Sequence, residues 1–297
     1  MTRLSLYDSV AEQTAGQVIR RYSTSFGLAS RLLGAGVRQH VENVYALVRI
    51  ADEIVDGPAT EAGLDEAGAR RALDGFETET DLAIETGFSA NLVVHAFART
   101  ARATGFGSEL TAPFFESMRA DLSATAHDRE SFDRYVYGSA EVVGLMCLRA
   151  FTEGRHYEPG TLERLEAGAR ALGAAFQKVN FLRDLSDDFE TLGRSYFPGV
   201  DPQSFTDAER DALVADIDDD LRVSGEIIPI LPGSSRRAVA LAHGLFAELN
   251  RRLAVTPATE LMHTRIRVPN PVKLRIAAAA AAGRITSIPA PSAEVSR

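Results

Sequence analysis

The chain has 297 residues, 45% hydrophobic and 25% charged, the balance of an ordinary soluble globular protein. Its net charge of −9 argues against a nucleic-acid binder, which carries a basic face. The single cysteine, Cys147, excludes an intrachain disulfide and makes the cytoplasm the natural compartment. No apolar run approaches the ~18 residues that a membrane-spanning helix needs, and no signal-peptide pattern opens the chain.

Helical periodicity dominates, and no strand-like alternation occurs between turns. The pattern predicts helices over 6–22, 37–56, 63–84, 91–104, 109–124, 131–151, 160–190, 207–226, 234–254 and 271–284. Gly and Pro clusters such as Gly57-Pro58, Gly105 to Gly107, Pro159-Gly160 and Pro232-Gly233 separate them. Ser131 and Thr206 are expected as N-caps. No linker-like shift of composition divides the chain. One all-α domain over 1–286 follows, with a Pro-, Ser- and Ala-rich tail, 287–297, expected to be disordered.

The chemistry concentrates in two matching segments, Tyr45 to Asp56 and Gln177 to Asp188. On a helix, residues three and four apart share a face. Tyr45, Arg49, Asp52 and Asp56 therefore form one polar stripe, and Gln177, Asn180, Asp184 and Asp188 another. The positions around both stripes are largely apolar, which predicts burial. Buried carboxylates need compensation. Divalent cations with an anionic ligand supply it, so the two motif helices are expected to face each other across a central cavity. Opposed Asp pairs match magnesium, which takes one or two carboxylates plus substrate phosphate oxygens. Arg49 and Arg183 would add charge-assisted hydrogen bonds to a diphosphate. Such a site favours departure of diphosphate, leaving a carbocation that needs a dry apolar pocket. Histidines are scattered, and Glu153 with His156 gives only one copy of a di-iron spacing.

Ser139, Ala140, Val143 and Gly144 fall on one side of a helix. Their small size either leaves room for a bulky apolar ligand or allows close helix packing.

These residues resemble the squalene and phytoene synthases, the head-to-head prenyl transferases. Ser23-Thr-Ser25-Phe26 is similar to the family's Ser-x-Ser-Phe, and Tyr45 to Asp56 to its first acidic motif. Tyr135 to Gly144 resembles its Tyr-x-Tyr…Val-Gly helix. Asn180 to Asp188, followed by Arg194-Ser-Tyr196-Phe-Pro198, resembles its second motif and the Arg-x-Tyr-x-Pro continuation. Arg267-Val-Pro and Lys273-Leu274 resemble its C-terminal signature. The resemblance implies an isoprenoid-synthase helical bundle with Asp52, Asp56, Asp184 and Asp188 as magnesium ligands (manganese as a substitute), Gln177 and Asn180 beside them. It implies that Tyr45, Arg49, Arg183, Ser23, Ser25 and Lys273 hold diphosphates, with Arg194 from the continuation. Tyr135 and Tyr196 would line the reacting centre. The implied reaction joins two prenyl diphosphates through a cyclopropylcarbinyl diphosphate to a linear hydrocarbon. Thr24, between the serines, and Glu141, in the pocket helix, depart from the pattern.

A terpene cyclase or head-to-tail transferase would share the fold but would not explain Arg183 together with Arg-x-Tyr-x-Pro. A non-catalytic assembly protein would not need four metal-ready aspartates. No Gly-x-Gly-x-x-Gly is present, so no NAD(P)H is expected and the product is a phytoene-type triene. Gly27 and Ser30 are small and three apart; if their segment faces inward as the resemblance suggests, Ser30 marks the far end of a pocket open to C20 geranylgeranyl diphosphate. The alternative is C15 farnesyl diphosphate, giving squalene, dehydrosqualene or presqualene diphosphate. Peripheral membrane contact is expected for delivery of an apolar product.

Overall fold

The computed structural model describes residues 2–123, 126–192 and 195–284, without the side chains of Thr24, Ser25 and 187–192. The predicted tail 287–297 lies outside the described residues. Fourteen α-helices make up the described chain: α1 (Arg3–Tyr22), α2 (Thr24–Ser30), α3 (Ala35–Val55), α4 (Pro58–Glu61), α5 (Glu66–Thr86), α6 (Leu92–Thr104), α7 (Ser108–Asp121), α8 (Arg129–Val136), α9 (Val142–Thr152), α10 (Pro159–Leu192), α11 (Asp207–Ile227), α12 (Gly233–Val255), α13 (Ala258–Leu261) and α14 (Asn270–Ala281). No strand occurs among the described residues; a single parallel bridge joins Ala126 to Ser195.

Local chemistry sets the helix ends. The Asn91 side chain accepts from the Val93 and Val94 amides to start α6, and Thr206 and Glu209 form a reciprocal capping box at α11. Ser131 is not an N-cap. Asp128 caps α8, and Ser131, three residues on, bonds back to it, so α8 starts two residues earlier than predicted. Gly87 (φ 84°) and Gly105 (φ 74°) end α5 and α6 in the left-handed region that glycine adopts without strain.

The predicted helix 131–151 is α8 and α9 joined by one π-helical turn, Tyr137–Glu141. Such a turn holds one extra residue and is frequent at functional sites. Backbone contacts clamp it. A Cβ on Gly138 would stand 2.1 Å from the Ser117 Oγ and 2.2 Å from the Pro113 carbonyl oxygen on α7. On the other side, a Cβ on Gly173 of α10 would stand 2.4 Å from the Ala140 carbonyl oxygen.

Two large apolar clusters flank this clamp. One gathers Leu47 of α3 with Phe97, Phe114, Phe115 and Met146. The other gathers Leu182 of α10 with Phe132, Ile217, Leu221 and Leu253. Each motif helix is thus rooted in its own core. No helix among the described residues is long and apolar enough to cross a membrane. Burial pushes the Cys147 thiol up to about 12, so it is no nucleophile at neutral pH.

Candidate active site

The first motif lies on α3. Arg49 pairs with Glu53 one turn on, has an amino group 3.7 Å from Asp52, and sits 4.8 Å over the Tyr22 ring. Asp52 keeps 29% of its side-chain surface exposed, yet its carboxyl is pushed up to about 8. Desolvation is the main cause, and the nearby charges of Asp56, Asp121 and Glu53 add to it against Arg49 alone. Burial likewise raises Tyr45, which hydrogen-bonds Ser23. Ser23 is also the N-cap of α2, its Oγ accepting from the Phe26 amide at 3.0 Å. The Phe26 ring touches Tyr45 of α3 (6.2 Å) and Phe176 of α10 (5.5 Å), so α2 ties the two motif helices together.

On α10, Asp184 is neutralised. Arg183 and Arg265 both engage Asp184; the Arg265 Nε donates to Oδ1 at 3.0 Å and its amino group to Oδ2 at 3.1 Å. Arg183, Arg265, Arg267 and Lys273 line one cleft of about 550 Å³, with Phe246 and Leu249 among its apolar walls. Four cations beside an apolar wall suit a diphosphate with a hydrocarbon tail.

Between the motifs lies an aromatic cluster. Tyr196 stacks on Phe181 at 4.0 Å between centroids, one turn before Asp184. Tyr135 lies 5.4 Å from Tyr196 and 5.9 Å from Phe181. His127 stacks on Tyr196 at 6.0 Å; burial pushes its ring below its ordinary value, favouring the neutral form. The charge of Asp56 reaches Tyr135 from the α3 side. Ring faces are electron-rich and attract a cation.

The match to a model of squalene/phytoene synthases covers residues 19–271. The chain belongs to the squalene/phytoene synthase family. Members of this family are prenyl transferases. A 15-cis-phytoene synthase of Paracoccus sp. (strain N81106 / MBIC 01143) is 31% identical over 190 residues, which cover 63% of this chain and 59% of that protein. A phytoene synthase of Pseudescherichia vulneris is 28% identical over 255 residues, 79% of this chain and 80% of that protein. Among solved structures, a dehydrosqualene synthase superposes with a TM-score of 0.75 at 22% identity, covering 93% of this chain and 97% of its own. A squalene synthase from Alicyclobacillus acidocaldarius gives 0.71 at 21%, covering 85% and 97%. These two likenesses establish the shared fold.

In this squalene/phytoene synthase family member, Tyr45, Arg49, Asp52 and Asp56 gather around α3, Arg183 and Lys273 line the cleft beside Asp184, and Tyr135 and Tyr196 pack on Phe181 of α10. Gln177 and Asn180 lie half-buried on α10. The Asp188 and Ser25 side chains and all of Arg194 lie outside the described residues. Ser30 is buried, with its Oγ donating to the Gly27 carbonyl. Ser139 and Ala140 are buried in the π turn, and the Ser139 Oγ has no hydrogen-bond partner among the described residues. Val143 packs against the first core. Gly144 serves close packing: a Cβ there would stand 2.3 Å from the Ala169 carbonyl oxygen, so its small size brings α9 against α10. Glu141, largely buried, is paired with Arg170 of α10.

Two candidate site residues lie outside the motifs that the sequence displays. Arg265 falls in the stretch between predicted helices, where only the basic run Arg265 to Arg267 hints at it. Asp121 accepts from the Tyr135 hydroxyl with both oxygens at 2.8 Å and from the Tyr196 hydroxyl at 3.3 Å. It lies in the last turn of the predicted helix 109–124 and ends α7, with no signal beyond its charge.

The donor set fits magnesium. Among the described residues no group of three or more His, Cys, Asp or Glu forms a protein cage for a metal. Magnesium does not require one: it retains waters and borrows phosphate oxygens. Burial, with the carboxylates crowded beside it, pushes Asp52 up to about 8 and leaves a hard oxygen donor short of positive charge.

Proposed function

We propose that the chain joins two prenyl diphosphates head to head, most simply two C20 geranylgeranyl diphosphates to phytoene through a cyclopropylcarbinyl diphosphate. The observation that carries this reading is the family match over residues 19–271, which spans both acidic motifs and the aromatic cluster. The phytoene synthases among its relatives favour C20 over C15. Each methylene buried contributes about 0.8 kcal/mol, so a pocket open to C20 prefers it.

The residues divide the work. Arg183, Arg265, Arg267 and Lys273 bind and orient the diphosphates. Asp52 and Asp56, with Asp184 and Asp188, hold magnesium (or manganese), Gln177 and Asn180 lying beside them. When bound, the metal supplies the positive charge that makes diphosphate a better leaving group. As the C–O bond of one substrate breaks, the rings of Tyr135, Phe181 and Tyr196 face the cation that develops. The alkene of the second substrate captures C1, a proton leaves, and the cyclopropyl intermediate ionises in turn. Loss of a second proton ends the reaction without a change of oxidation state, so no NAD(P)H is consumed. The hydrocarbon partitions into a bilayer, which calls for peripheral membrane contact at delivery.

Incubation with C20 and C15 diphosphates and magnesium, with and without NADPH, tests this by identification of the hydrocarbon. Phytoene from C20 without NADPH is expected. A C30 product alone, or one saturated at its central bond and strictly dependent on NADPH, overturns it. Ser30→Phe is expected to shift preference towards C15 while ionisation persists; an unchanged C20:C15 ratio places the pocket floor elsewhere.

A further inference from the structure

Pro113, Ser117 and Asp121 are four apart on α7 and form one ridge of that helix. The first two seat the π turn through Gly138, and the Ser117 Oγ donates to the Tyr135 carbonyl at 3.1 Å. The third reaches past the turn to the Tyr135 and Tyr196 hydroxyls. Asp121 is 7% exposed among aromatic rings, where a carboxylate is costly unless it is hydrogen-bonded. The fold anchors its partners independently: Tyr135 by the clamped turn, and Tyr196 by the Ala126–Ser195 bridge and its stack on Phe181. Asp121 is therefore not required to place the rings, but it decides which way their hydroxyl protons point.

We propose that Asp121 is a positioning residue of the condensation: it draws the hydroxyl protons of Tyr135 and Tyr196 towards itself, so that the negative ends of both O–H dipoles face the developing carbocation. Dipoles fixed in advance stabilise charge without reorganising at the moment of reaction. A phenol bonded to a carboxylate is also a more electron-rich ring. Both effects act on the transition state and leave diphosphate binding alone. This inference rests on the proposed condensation.

The test is a mutant cycle on the full-length protein with magnesium and C20 diphosphate. Asp121→Asn, which keeps the shape and removes the anion, is expected to lower kcat about a hundredfold, the scale of one lost electrostatic stabiliser, with KM changed by less than about threefold. In a Tyr135→Phe, Tyr196→Phe background the same change is expected to cost at least about tenfold less, since its route through the two hydroxyls is gone and only its charge near Asp52 remains. The chain has no Trp and seven Tyr, so its ultraviolet fluorescence is tyrosine emission. Carboxylate-bound phenols are quenched, and Asp121→Asn is expected to raise that emission in the parent and not in the double-Phe background. Asp121→Glu, which retains the anion, is expected to recover part of kcat and serves if the Asn variant fails to fold. Full additivity in the cycle, a rise in KM alone, or no recovery by Glu relative to Asn or Ala overturns the proposal. A parent protein that makes no hydrocarbon overturns the condensation itself, while the fluorescence comparison still reports whether Asp121 holds the phenols.

Discussion

Asp52 and Asp184 occupy equivalent places in motifs of the same spacing, yet their surroundings are opposite. Asp52 lies within reach of Asp56, Asp121 and Glu53 with Arg49 alone against them. Asp184 is gripped by two guanidiniums, one of them from Arg265, far along the chain. Asp52 stands short of positive charge, and Asp184 is already matched by it. Asp52 therefore demands a cation, whereas a cation arriving at Asp184 competes with the two guanidiniums already there. Spacing alone cannot distinguish them, because the difference comes from residues that the fold delivers to each side.

The largest expected effect tests what the two halves share. Asp52→Asn and Asp184→Asn are each expected to lower turnover at least about a hundredfold. Near-normal activity in both would remove the metal assignment. Their stabilities are expected to part company. Asp52→Asn relieves like-charge repulsion and is expected to leave Tm unchanged or raised. Asp184→Asn leaves Arg183 and Arg265 without their shared carboxylate and is expected to lower Tm. The same direction of shift in both would break the comparison.

Arg265→Gln sharpens it from the basic side. A charge-assisted hydrogen bond is worth about 1.5–3 kcal/mol, so KM for the prenyl diphosphate is expected to rise about tenfold or more. Inorganic diphosphate without metal is expected to raise the Tm of the parent protein, and less so that of Arg265→Gln. Equal stabilisation of the two would place the anion outside this cleft.

The smallest effect is a pH dependence confined to the first motif. An unfolded Asp releases its proton near pH ~4, whereas folding pushes Asp52 up to about 8. Between those values the folded chain holds a proton that the unfolded chain has lost. Stability in metal-free buffer is therefore expected to fall as pH rises through that window, and to be least penalised below it. Thermal melts of the parent and Asp52→Asn, in chelator at about pH 5 and pH 8, check this: the advantage of the variant is expected to grow with pH. A constant difference would mean that Asp52 is ionised throughout.

The long elements were legible in the sequence because each carries several turns of one periodicity. Predicted 37–56 and 160–190 became Ala35–Val55 and Pro159–Leu192, with Tyr45, Asp52 and Asp184 on the expected faces. Short elements were not legible. The seven-residue α2 has too few turns to show a period, and its helix depends on the Ser23 cap and on packing between Tyr45 and Phe176. The π turn was hidden because its cause, contact of Gly138 with α7, is tertiary. Asp121 and Arg265 belong to no repeating pattern; only the folded chain brings them to Tyr135 and Asp184.

The clamp around the π turn has a consequence for how this protein can vary. Gly138, Gly144 and Gly173 each meet a neighbouring backbone, or Ser117, at distances that no side chain can enter. Solvent-facing helix positions tolerate many residues, but these three exclude nineteen of the twenty. Together they set the spacing of α7, α9 and α10 by backbone contact rather than by side-chain volume. Core residues elsewhere can drift in size without moving one catalytic wall against another. In a saturation-mutagenesis map these glycines should stand out as positions of near-total intolerance, none of them a group that reacts.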